Sequence, residues 1–211
     1  MPEFLKPADF SEETKKEISK VDKIDIGSNE IANILKDDVN FIGEGGRTIV
    51  ATIEDAENKL VAIARKEMKP EEAKRIYYNH KILYTLFPEH FARIYATAGK
   101  TKEVTHSLSY TIRERVFGEH PKIKAVGDFK DVIKQLAEIG ISIQFDTARR
   151  NFIVGVGGHT IYVDLVNFAG WKAEHEKLIL DWMEKRKMKD ADKDLVRTSL
   201  HRLLVLSQQT K

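Results

Sequence analysis

Asp146, Asn151 and Asp164 are the residues of this chain whose types and spacing could do chemistry. Asn151 stands five positions after Asp146 and leads into the apolar Phe152-Ile153-Val154, while Asp164 closes the apolar run Ile161-Tyr162-Val163. Phosphoryl transfer asks for such a set. A carboxylate can orient an attacking hydroxyl, and an amide oxygen and a second carboxylate are hard ligands for Mg²⁺, which prefers one or two carboxylates together with substrate phosphates. The two apolar stretches predict a hairpin turning at Gly155-Val156-Gly157-Gly158, which brings the three side chains to one rim. The pattern therefore predicts a nucleotide site.

The elements that must hold such a site have to come from a chain of 211 residues with 42% hydrophobic and 32% charged residues. That is long enough to bury a core, as one domain or as two small lobes sharing a cleft. The net charge of +2 gives no basic field that would point to nucleic acid. With no Cys, disulfide frameworks and thiolate sites are excluded, which fits a reducing cytosol and equally a protein delivered into a host cell. No apolar run reaches transmembrane length, and Met1-Pro2-Glu3-Phe4-Leu5-Lys6 lacks the apolar stretch of a signal peptide. The expected location is the cytoplasm.

Residues 1 to 36 predict two short helices, capped at Ser11 and Ser28, in an extension that carries no chemistry. From Asn40 the pattern changes to strand, glycine turn (Gly43-Glu44-Gly45-Gly46), strand, with a third strand from Leu60 to Lys66 after a turn at Glu57-Asn58-Lys59. Glycine lets backbone N–H groups approach phosphates with no Cβ in the way, although a plain hairpin turn explains the motif taken alone. In Ala62, Ala64 and Lys66 the two-residue period sets small residues and an ammonium on one strand face, room for a flat base and a reach to phosphate oxygens. A solvated strand-end Lys is the simpler reading of that segment by itself.

Pro70 opens a helix expected to run to Leu86, with Glu71 and Glu72 at its positive end and Pro88 stopping it. Strands follow at Ala92–Ala98 and Ser107–Val116, then a hinge-like Phe117-Gly118-Glu119-His120-Pro121. Asp128 caps a further helix that Gly140 closes. After Asp164, two amphipathic helices are expected on either side of the charged run from Glu184 to Asp194, anchored by Trp171 and Trp182. The seven histidines show no metal-ligand spacing, so no zinc site is expected.

The order of these pieces, from about Asn40 to Phe168, resembles the protein-kinase-like superfamily. Gly43-Glu44-Gly45-Gly46-Arg47-Thr48-Ile49-Val50 looks like its glycine-rich loop, with Val50 at the residue that covers adenine. Lys66 matches the third-strand lysine on the α- and β-phosphates, and Ala64 lies two residues before it. Glu114 to Val116 is similar to the segment whose backbone binds the adenine edge. Asp146 matches the catalytic-loop Asp, Asn151 its metal-binding Asn, and Asp164 the metal-binding Asp that opens the activation segment. The resemblance implies a bilobal α+β fold: a five-stranded antiparallel sheet with one helix at 37–117, then a reduced helical lobe at 118–211. It implies ATP and Mg²⁺ as cofactors and a hydroxyl acceptor, on a protein rather than a small molecule.

The departures from that pattern are specific. Gln144 stands at the family's His. Ala148 stands at the Lys near the γ-phosphate, which leaves either Arg149 or no residue to supply that positive charge, and Leu165-Val166 replaces the Gly-containing continuation of the metal-binding Asp. Asn79 occupies the place of the Glu that pairs with Lys66, so either Glu72, two turns earlier, is the substitute or Lys66 has no such ion pair. These departures also fit a pseudokinase serving as a nucleotide- or protein-binding module.

Overall fold

The computed structural model describes residues 40–44, 48–53, 56–64, 68–99, 109–121 and 127–209. The glycine-turn residues Gly45, Gly46 and Arg47, together with Lys66 and the N-terminal extension, lie outside them. The described residues mix α and β structure, and none of their helices is long and apolar enough to cross a membrane. The chain divides into two compact units: one takes the chain up to Tyr77 with Ile94–Arg115, the other Tyr78–Arg93 with the chain from Val116.

The first unit is built on β1 (Asn40–Glu44), β2 (Thr48–Ile53), β3 (Ala56–Ala64), β4 (Ile94–Ala98) and β5 (Ser109–Glu114), ordered β1-β2-β3-β5-β4 in an antiparallel sheet. The β1–β2 register shifts between Phe41 and Gly43, a bulge that the lack of a glycine side chain eases. No turn forms at Glu57-Asn58-Lys59. These residues belong to β3, which starts at Ala56, because Lys59 pairs with Glu114 across β5 and sets its ammonium 5.0 Å over the Tyr95 ring. Paired on both sides, β3 buries Val61 and Ala62.

Helix α1 (Pro70–Leu86) spans the expected range and passes from one unit into the other. Its start is tied down by short hydrogen bonds. The Met68 N–H donates to Ser109 Oγ at 2.8 Å, and Thr97 Oγ1 donates to the Ala73 carbonyl at 2.8 Å. Gly99 is required here, since a Cβ would sit 2.6 Å from the Lys69 backbone.

The second unit contains β6 (Gly118–Glu119), α2 (Phe129–Glu138), β7 (Phe152–Gly155), β8 (Thr160–Tyr162), α3 (Glu174–Lys185) and α4 (Asp190–Gln209). Within the segment expected as a hinge lies β6, pairing Gly118 with Gly155 and Glu119 with Val154. Without that pairing, β7 would present an open edge on this side. The last two helices extend into the charged run, leaving only 186–189 between them. Lys193 pairs with Glu184 and Asp190 there, so charges of that run hold two helix ends together.

Aromatic side chains fill the centre of this unit. Phe129, fully buried, packs its ring against Phe91, Phe145, Phe152 and Tyr162 at centroid distances of 5.1 to 5.7 Å. Leu83, Leu136, Ile179, Met183 and Leu200 extend the core outward. Trp171 and Trp182 are buried in it, the latter with the Arg186 guanidinium 3.7 Å from its ring centroid.

Candidate functional site

Phe145 places Asp146. Its ring is wedged 5.1 Å from those of both Phe129 and Tyr162, so the residue that follows is carried on a fixed stem. Asp146 itself is exposed, and its Oδ1 accepts the Ala148 N–H at 3.0 Å, the local turn that Asp favours. A 3₁₀ turn, Arg149–Asn151, then delivers the buried Asn151. The Asn151 Nδ2 donates to the Asp146 carbonyl at 3.1 Å, which leaves Oδ1 as the amide atom to meet a cation.

The hairpin brings in the third residue. β7 and β8 pair Phe152 with Tyr162, and the Val163 N–H donates to the Asn151 carbonyl at 2.9 Å, so Asp164 follows directly beside Asn151. The Tyr162 hydroxyl hydrogen-bonds the Asp146 backbone. Burial, and then the negative charges of Asp164 and Asp146, push its ionisation far above the ordinary phenol value. One buried phenol therefore senses both carboxylates. Asp146, Asn151 and Asp164 share one rim, and the amide oxygen and two carboxylates are donors of the kind Mg²⁺ takes.

Beside this rim lies a cavity of about 360 Å³ whose lining includes Gln144, Phe145, Tyr162, Leu165, Val166 and Asn167. The lining thus draws on the residues just before Asp146 and those just after Asp164.

The segment after Asp164 is held from α1. The fully buried Asn79 donates through Nδ2 to the carbonyls of Val166 at 3.1 Å and Phe168 at 3.0 Å, and accepts the Trp171 Nε1–H at 2.5 Å. His80, its neighbour, accepts the Val166 N–H at Nε2 over 2.9 Å, which requires that nitrogen to be unprotonated. Asn79 is thus a bracket for the chain that follows Asp164, a role its place in the sequence did not reveal.

The positive charge beside Asp146 is not where the sequence put it. Arg149 turns away, its Nε donating to the Pro121 carbonyl at 2.6 Å, while Arg150 comes within 3.8 Å of Asp146 Oδ2. Three-ten geometry sends successive side chains to different sides, and the i, i+4 spacing of Asp146 and Arg150 was the available signal. Among the other expected nucleotide contacts, Gly43 and Glu44 lie in β1, Thr48 and Val50 in β2, Ala64 at the end of β3, Glu114 at the end of β5 and Val116 just beyond it; Glu72 is half-buried in the first turn of α1.

A second cluster was not expected at all. His90, Asp128 and His159 meet within the second unit, with one ligand atom from each lying inside 4.8 Å of the others. Asp128 occupies the N-cap position of α2 but makes no side-chain cap. Its Oδ1 instead accepts the Thr160 N–H at 2.9 Å, and its Oδ2 faces His159 Nδ1 at 3.0 Å. Partial burial raises its ionisation, but the hydrogen bonds from Thr160 and His159 and the charge of His90 outweigh this and hold the carboxyl below its ordinary value. The residues lie 38 and 31 positions apart in sequence, too far for any local motif to register.

No family model matches this chain, and no curated protein matches it. Among solved structures it is similar to the Legionella pneumophila Lpg2603 kinase bound to IP6, with a TM-score of 0.37 and 14% sequence identity. The match covers 78% of this chain and 63% of that one, so this chain spans less than two thirds of that protein's length.

Proposed function

We propose that this chain is a kinase-like phosphotransferase that moves the γ-phosphate of ATP to a hydroxyl, with a protein as acceptor. The observation that carries the reading is the shared rim of Asp146, Asn151 and Asp164, fixed by the β7–β8 register and by the Asn151 amide on the Asp146 carbonyl. When bound, Mg²⁺ would neutralise charge on the phosphates, with Asn151 and Asp164 as its ligands. Asp146 orients the acceptor hydroxyl and takes up its proton; Arg150, beside it, is the nearer cation. Lys66 and the glycine turn, on the resemblance, contact the phosphates, and Glu114 to Val116 contact the adenine edge.

The test is incubation with γ-labelled ATP and Mg²⁺, alone and then with cell lysate. Label should appear on protein and should vanish in Asp164→Ala, while Asp146→Asn should slow transfer by about 10²- to 10⁴-fold. Full transfer by Asp164→Ala would end this reading.

Asn79 favours a second reading. Its amide is spent on Val166, Phe168 and Trp171, so the position where the family's Glu pairs with Lys66 offers no carboxylate. A pseudokinase that binds nucleotide without transferring it would show a thermal shift with ATP and no label on any acceptor.

A further inference from the structure

We infer that His90, Asp128 and His159 form a binding site for a divalent transition metal of the Zn²⁺, Co²⁺ type, separate from the rim that carries Asp146 and independent of the function proposed for it. Two imidazoles and one carboxylate are a donor set that suits borderline cations over Mg²⁺ or Ca²⁺, and three protein ligands with an open position form a familiar zinc arrangement. Asp128 Oδ2 lies 3.0 Å from His159 Nδ1 and 4.0 Å from His90 Nδ1. Ligands about 2.0–2.2 Å from a tetrahedral ion stand roughly 3.3–3.5 Å apart, a separation that these two distances bracket.

Three further features fit a metal better than a chance meeting of polar groups. The other nitrogen of His159, Nε2, faces Glu89 Oε2 at 3.5 Å. With Nδ1 on the ion, Nε2–H would donate to that carboxylate, the outer partner that metal-bound imidazoles ordinarily have. The Thr160 N–H donates to Asp128 Oδ1 at 2.9 Å, which holds the carboxylate in place with Oδ2 toward the imidazoles. The two rings sit edge to face at 5.5 Å, and the His90 ring is braced against Phe129 at 6.3 Å, so that imidazole is positioned by the core itself. His90 Nδ1 also lies 3.1 Å from the Thr160 carbonyl, a contact the cation would replace.

The ion would join three separate segments: the turn after α1, the start of α2 and the start of β8. Its consequence is structural, a clamp on the β7–β8 hairpin from the end opposite the Asp146 rim.

The experiment uses the whole chain, stripped with chelator and titrated with Co²⁺. Expected are d–d absorption bands saturating at one equivalent, displaced by Zn²⁺, and a rise in melting temperature. His159→Gln, a change at a half-exposed side chain, should weaken binding by about 100-fold or more while the metal-free protein keeps its melting temperature. His90→Gln serves as the second variant, and Asp164→Ala should leave the bands unchanged. Absence of bands in the wild-type chain, or bands that survive both His substitutions, would overturn the inference. Bands lost in Asp164→Ala would assign the metal to the other rim and would also overturn it.

Discussion

Replacing Asn79 tests whether the chain after Asp164 is held by an amide bracket. The side chain is fully buried and makes three hydrogen bonds, to Val166, Phe168 and Trp171. In Asn79→Ala two carbonyls and an indole N–H lose their partner in a place where water has little access. Each such orphaned group costs about 1–3 kcal/mol, and partial relaxation lowers the total, so the expected loss of unfolding free energy is about 3–5 kcal/mol. Asn79→Asp keeps an acceptor for Trp171 but loses both donors and buries a charge, so it should be at least as damaging. Urea unfolding followed by Trp fluorescence reads both variants, since Trp171 is itself a member of the bracket. A loss below about 1 kcal/mol for Asn79→Ala would refute the reasoning. Asn79→Glu, the residue expected of the family, should destabilise as well, because a carboxylate cannot donate to the two carbonyls.

Three further outcomes follow from the same structure. Phe129→Ala empties the centre of the aromatic cluster and should cost about 3–5 kcal/mol in denaturant unfolding, whereas Val156→Asp, at the 95% exposed hairpin tip, should be neutral. His175 is buried, which lowers its ionisation below the ordinary value of 6.5, and its Nδ1 accepts the Lys172 N–H just before α3. Since the unfolded chain binds that proton more readily, this contribution is fully present above about pH 6.5 and is lost as pH falls through the lower folded value. Unfolding midpoints from pH 5 to 8 should therefore rise less steeply in His175→Gln than in the wild type. Gly127 holds φ +49° with Thr160 Oγ1 2.5 Å from where a Cβ would be, so Gly127→Ala should destabilise by about 1–3 kcal/mol in the same unfolding assay.

The sequence by itself determined what depends on neighbours along the chain. Pro70, the acidic first turn and Pro88 bounded α1 correctly, because helix ends are set by local dihedrals and orphaned backbone groups. The glycine run at 155–158 gave the β7–β8 hairpin. Tertiary structure decided what required distant segments to meet. It gave Asn79 its buried partners about 90 residues away, took Asp128 from helix capping to the β8 backbone, and drew His90 and His159 to the same carboxylate. It also chose Arg150 over Arg149 and paired Gly118 and Glu119 with β7. Periodicity and turn chemistry encode which way a residue faces on its own element, whereas the partner it faces is fixed only when a shared core, here the rings around Phe129, sets elements side by side.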